Sequence, residues 1–190
     1  MISLFFMMKI GIATLFISTG IGKIKKFNIH QLIIKEYQII PENQIRLFTI
    51  IEIFAELFIS ICLFIGLFHR FTLICAVLLL LVYSVAILIN LFRGRKEISC
   101  GCGGVLGNHK LSWMLVVRNL CIGAVSVILL MYPLSLGSLD QLLKTNQFVL
   151  DIFNFQYFTL VFTSWIIILI GINMIQLYNI YLRIDRLTKN

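Results

Sequence analysis

Long apolar runs alternate with shorter polar ones along this chain, and the apolar runs have membrane-spanning length. Five stand out: Ile2 to Ile21, Leu47 to Phe68, Phe71 to Phe92, Leu111 to Met131 and Tyr157 to Tyr181. Each is close to the about 20 residues an α-helix needs to cross a hydrocarbon core. Lys9 interrupts the first run, where its long stem would let the ammonium snorkel outward. Only His69 and Arg70 separate the second run from the third, which predicts an antiparallel helical hairpin. Pro133 stops the fourth run, and a basic tail with Arg183, Arg186 and Lys189 closes the fifth. The first run reads as a retained helix and not a cleaved signal. Lys9 lies inside it, and Gly20-Ile21-Gly22-Lys23 lacks the small-residue cleavage pattern.

The polar intervals are also patterned. Gly22 to Arg46 is basic but contains Leu32-Ile33-Ile34 and Tyr37, which predicts an amphipathic stretch on the membrane surface. Leu134 to Gln156, with Asp140, Lys144 and Asp151, predicts a short interfacial helix. Gly11, Gly20 and Gly123 are candidates for close helix contacts. The expected fold is all-α: a polytopic membrane protein with a four-helix transmembrane bundle over residues 1–134. A polar connection and a fifth C-terminal transmembrane helix follow over residues 135–190.

Composition narrows the class further. With 60% hydrophobic and 13% charged residues, too little polar surface exists to cover a soluble globule of 190 residues. A membrane barrel needs a polar residue at every second strand position, and the runs offer none. The net charge of +8 resides at the ends of the apolar runs, where cations meet headgroups, so the lipid bilayer is the expected partner and nucleic acid is not. Charge also argues orientation. With five spans, Gly22–Arg46, the loop after Phe92 and the C-terminus share one side. Lys23, Lys25, Lys26, Lys35, Arg46, Arg93, Arg95, Lys96, Lys110, Arg183, Arg186 and Lys189 lie there, against little beyond Lys9, Arg70 and Lys144 opposite. The positive-inside rule puts the richer side in the cytoplasm of a multi-pass cell-membrane protein.

Cys100-Gly101-Cys102-Gly103-Gly104 is the candidate chemistry. A Cys-x-Cys pair closes a small, strained disulfide, and Gly101 relaxes the backbone that must allow it. Strained disulfides are oxidising and labile, which suits transfer. Arg93, Arg95, Lys96 and His109 would favour the thiolate, the reactive form. Cys62, Cys75 and Cys121 lie inside apolar runs and read as small hydrophobes. His30 and His69 read as solvated. His109 would make a third ligand beside Cys100 and Cys102, one short of a structural zinc site, so no metal is assigned.

Glu52 and Glu56 stand four apart in the second run, on one helix face, and a carboxylate at membrane depth needs a partner. Arg118 and Asn119 in the fourth run are the expected ones, with Glu56 and Arg118 facing each other. Two readings compete here. One is a polar membrane site for a quinone headgroup, a proton or a polar ligand; the other is an ion pair that holds two helices together.

These features, in order, resemble the MauE/DoxX family of redox-associated membrane proteins. Lys9-Ile10-Gly11 and Gly20-Ile21-Gly22-Lys23 are similar to its first helix, Tyr37 and Pro41 to its first loop, and Glu56 to an acidic residue of its second helix. Cys100-Gly101-Cys102-Gly103-Gly104 resembles a Cys-Gly-Cys-Phe-Gly loop, with Gly103 in place of Phe, and Trp113, Arg118 and Asn119 follow. The resemblance covers Met7 to Tyr132. It implies a four-helix bundle linked to disulfide formation, with Cys100 and Cys102 exchanging disulfides outside the cytoplasm, opposite to the charge count. It also implies a thioredoxin-like partner and a disulfide-containing client, as methylamine dehydrogenase is for a member of the family. A quinone, the headgroup considered for the Glu52 and Glu56 site, is the candidate electron acceptor. The leading expectation is therefore a membrane thiol–disulfide relay or accessory. The alternatives are a non-enzymatic assembly scaffold, or a metal carrier using Cys100, Cys102 and His109.

Overall fold

The computed structural model describes residues 2–101, 110–132, 137–140 and 154–188, and apart from one isolated bridge the regular structure among them is helical. Five helices are long and apolar enough to cross a membrane: α1 (Ile2–Lys25), α3 (Ile45–Ile65), α4 (His69–Phe92), α5 (Trp113–Met131) and α6 (Phe155–Thr188). Between α1 and α3 lies the short α2 (Phe27–Tyr37), which buries His30, Ile33 and Ile34 while Ile29 and Leu32 stay exposed. These two faces make α2 the amphipathic stretch that the sequence predicts. Most of the interfacial helix expected after Leu134 lies outside the described residues.

The hairpin turn differs from its expected place. α3 stops at Ile65 because Gly66 turns left-handed, at φ 65°, and the Leu67 amide closes back on the Cys62 carbonyl at 3.0 Å. A Cβ on Gly66 would lie 2.1 Å from the Gly137 carbonyl oxygen, so glycine is required for space as well as for conformation. The turn is thus Gly66-Leu67-Phe68, and His69 and Arg70 belong to the first turn of α4. His69 is half-buried, its Nε2 3.4 Å from the Leu129 carbonyl, and is not the solvated residue expected. The Phe68 and His69 amides donate to the two carboxylate oxygens of Asp140 at 2.9 and 3.0 Å. Asp140 therefore caps the start of α4 from far along the chain, a favourable place for a negative charge.

The bundle core is built from α1 (Ile12, Ala13, Phe16), α3 (Ile59, Leu63), α4 (Leu73, Ala76, Leu80) and α5 (Leu129). A second cluster joins α4 to α5 through Ile87, Leu91, Leu115 and Val116, with Tyr37 and Cys100 packed against it. α6 is attached to the outside of α1, where Tyr157 and Val161 meet Phe6 and Ile10. Its 34 residues reach about 51 Å at 1.5 Å per residue, more than the about 30 Å hydrocarbon core. The excess lies at the C-terminal end, beyond Met174, and carries Arg183 and Arg186.

Close helix contact falls on one of the three glycines expected. A Cβ on Gly20 would come within 3.0 Å of the Leu57 side chain, so α1 and α3 touch there, whereas Gly11 and Gly123 face open space.

Candidate functional site

The close approach at Gly20 delivers Lys23, three residues on, into the bundle. Lys23 is a correction to the loop cation expected from its position. It lies seven residues after Phe16 and fourteen after Lys9, so all three share the inward face of α1. Lys9 is likewise inside: fully buried rather than snorkelling, its Nζ donating to the Gly137 carbonyl at 3.4 Å beside the Phe6 ring.

Lys23 Nζ donates to Glu52 Oε1 at 2.6 Å, to Glu56 Oε1 at 2.7 Å and to the Tyr83 hydroxyl at 3.0 Å. These three bonds use all the protons an ammonium has. The Tyr83 hydroxyl in turn donates to Glu56 Oε1 at 2.7 Å. Glu52 Oε2 pairs with His30 Nε2 at 2.9 Å. An ionised carboxylate only accepts, so Nε2 carries a proton, and in the neutral tautomer of that kind Nδ1 is an acceptor. The side chains of Lys23, Glu52, Glu56 and His30 are at most 7% exposed. Charges so deep persist because one ammonium is shared by both carboxylates and the His30 and Tyr83 hydrogen bonds support them.

The expected partner of Glu56 is replaced. Lys23 and Tyr83 hold its Oε1, while Arg118 donates to Asn119 Oδ1 at 3.5 Å. His30, read from the sequence as solvated, is the second residue missed. Its signal was the apolar face of α2, since His30 is one helical turn before Ile33 and Ile34. Tyr83 carried no signal beyond a polar group in an apolar run.

Cys100 and Gly101, which open the cysteine loop, are seated on this network. Ser99 and Lys110 form an antiparallel bridge, the Leu111 amide donates to the Ile98 carbonyl at 3.0 Å, and Lys110 pairs with Glu97, so the loop base is pinned. Arg93 donates to the Gln38 carbonyl at 3.3 Å, and Arg95 to the Gln38 side chain at 2.5 Å and the Glu36 carbonyl at 3.4 Å. These cations, expected beside the thiols, tie α2 to the loop through carbonyls at the C-terminal end of α2, where positive charge is favourable. The Tyr37 hydroxyl donates to the Cys100 carbonyl at 3.2 Å. Gly101 takes φ 67°, and a Cβ there would stand 3.2 Å from both His30 Nδ1 and an Ile33 methyl. The residue between the two cysteines thus lies directly against the buried histidine.

Cys100 is half-buried; Cys102 and His109 lie outside the described residues. Among the described residues no three metal-ligating side chains converge. Cys62 is buried, Cys75 half-buried and Cys121 exposed on the bundle exterior.

One cavity of about 680 Å³ joins these parts. Lys23, His30, Glu52, Glu56 and Tyr83 line it, as do Cys100, Gly101, Arg118 and Asn119, and the remaining wall is mostly apolar. The structure thereby brings Cys100, Glu56, Arg118 and Asn119 to a single space.

Fold and site together define a polytopic helical membrane protein with a buried ion-paired site beside Cys100 and Gly101. The sequence profile described as Methylamine utilisation protein MauE matches residues 1–132. The chain belongs to that family. It is similar to the Methylamine utilization protein MauE of Paracoccus denitrificans, 27% identical over 120 residues, which are 63% of this chain and 64% of that protein. It is also similar to those of Methylorubrum extorquens, 32% identical over 87 residues (46% and 47%), and Paracoccus versutus, 27% over 116 residues (61% and 62%). The match thus spans less than two thirds of these relatives' length. No solved structure matches.

Proposed function

We propose that this chain is a membrane thiol–disulfide relay, acting with a thioredoxin-like partner in the oxidative maturation of a disulfide-containing client. The relatives are named for methylamine utilisation, and the proposal extends that role to this chain as a membrane component of such a maturation system. The observation that supports it is the seating of the Cys100–Gly101 limb against His30 and Tyr37, where a titratable ring and a buried charge network adjoin a potential redox pair.

In the relay, a thiolate of the partner attacks Cys100 of a Cys100–Cys102 disulfide. A mixed disulfide forms and Cys102 leaves as thiolate. The partner's second thiolate then attacks its own sulfur in that bond and releases Cys100. The net change is one disulfide gained by the partner and one dithiol left here. His30 and the carboxylates behind it supply groups that take up and return protons as the thiols ionise. Replacing Cys102 with Ser leaves Cys100 as a thiolate that attacks the disulfide of the oxidised partner, the reverse of the release step. It should trap that partner as a complex that survives a non-reducing gel and dissolves on reduction. The Cys100→Ser, Cys102→Ser double variant should trap nothing. A Cys102→Ser protein that forms no covalent complex, with full activity of the double variant, would overturn the relay and leave a bracing role for the loop.

A further inference from the structure

The ion network leaves specific polar atoms unpaired beside the cavity. Among the described residues, Glu56 Oε2, His30 Nδ1 and Asn119 Nδ2 are buried and have no hydrogen-bond partner. Glu56, His30 and Asn119 are 1%, 6% and 4% exposed, so water at the surface does not satisfy them, and all three line the cavity. Buried polar atoms are normally paired, and three unpaired ones around one space mark a place for a ligand's polar atoms. The cavity volume of about 680 Å³ falls within the about 300–1,000 Å³ of small-molecule sites.

The lining specifies the ligand's chemistry. Lys23 and Arg118 offset Glu52 and Glu56, so with His30 neutral the charges sum to zero (+2 − 2), and an anionic head would meet two carboxylates without a net positive field. Asn119 Nδ2 donates only, Glu56 Oε2 accepts when ionised, and His30 Nδ1 accepts in the neutral ring. The head must therefore be neutral and present both a carbonyl and, in one of its states, a hydroxyl. Phe16, Tyr37 and Phe48 line the space with aromatic faces suited to a flat ring. Part of the rim is made by Leu78, Leu81, Val82 and Val85 of α4, which are 45–57% exposed on the lipid-facing side. The opening therefore gives onto hydrocarbon.

We propose that this cavity binds a membrane-dissolved quinone, its ring among Glu56, His30 and Asn119 and its isoprenoid tail leaving over the lipid-facing side of α4. The oxidised ring accepts from Asn119, and the reduced ring donates to Glu56 and His30, so the same site holds both forms. The electron step rests on the relay reading: closing a disulfide at Cys100 withdraws two electrons and releases two protons, and the quinone takes up two of each to become the quinol. Cys100 lines the same cavity, so donor and acceptor share one space.

The test uses the full chain in lipid nanodiscs and an azido-benzoquinone with a short isoprenoid tail. Photolabelling should saturate, be competed by unlabelled quinone and map to peptides of α3, α4 and α5. Leu81→Trp, which fills the rim on a lipid-facing position away from the ion network, should weaken labelling at least tenfold with thermal unfolding unchanged. Asn119→Ala should weaken it by a similar factor. Labelling that does not saturate, that diacylglycerol or a long-chain alcohol competes as well as quinone does, or that persists in folded Leu81→Trp overturns the proposal. Labelling reports binding with no electron transferred, and the Cys102→Ser trap reports the relay with no quinone present, so either can fail while the other stands.

Discussion

Lys23 shows how much one side chain holds in place at the residue scale. It pairs with two carboxylates on α3 and bonds Tyr83 on α4, so its loss leaves two like charges buried with no cation between them. Lys23→Met is expected to destabilise the protein by about 3–5 kcal/mol. Lys25→Met, at an exposed position two residues on, should fall within about 0.5 kcal/mol of wild type. Thermal unfolding of both in detergent checks the pair. Gly101 is the second such residue. Alanine there must hold a left-handed backbone, at about 1–2 kcal/mol, and place its methyl against His30 and Ile33. Gly101→Ala should lift the loop and raise the rate at which a maleimide alkylates half-buried Cys100 by about 5–30-fold. An unchanged rate would mean that the loop is not seated on α2.

At the scale of elements, charged side chains distant in sequence decide how helix ends are joined. Asp140 supplies the acceptors for the first amides of α4. Asp140→Ala should cost about 1 kcal/mol and speed hydrogen exchange at Phe68 and His69, while Asp140→Asn keeps most of the cap. α2 is held by Arg93 and Arg95 from the far end of α4. That link places His30 beneath Gly101, so the basic cluster before the cysteines positions the helix that carries the histidine.

For the whole molecule, the five spans place α2, the cysteine loop and the C-terminal end of α6 on one side, joined by the Arg93, Arg95 and Tyr37 contacts. Burial of Lys23 removes one cation from that side's loop count, but Lys25, Lys26, Lys35, Arg46, Arg93, Arg95, Lys96 and Lys110 remain. The positive-inside rule then predicts that a membrane-impermeant thiol reagent labels Cys100 only after cells are permeabilised. Labelling in intact cells would instead place the loop outside the cytoplasm, as the family resemblance implies. The answer also sets the resting state of the cysteines, because the cytoplasmic glutathione pool keeps thiols reduced.

Span number, span length and the amphipathic face of α2 were legible in the chain, because they follow from hydrophobic periodicity and bilayer thickness, both local quantities. The same is true of Glu52 and Glu56 sharing one face, which four-residue spacing dictates on any helix. What the chain left undecided was the partner of each buried charge. Lys9 stands inside an apolar run and Lys23 just past its end, where snorkelling and inward burial have the same local signature. Which occurs depends on whether a facing segment offers acceptors at that depth. Only the packing of α1 on α3 at Gly20, and of α2 under the cysteine loop, supplied that answer. Long-range pairing of charges is set by which helices meet and at what height, and that is a property of the tertiary structure alone.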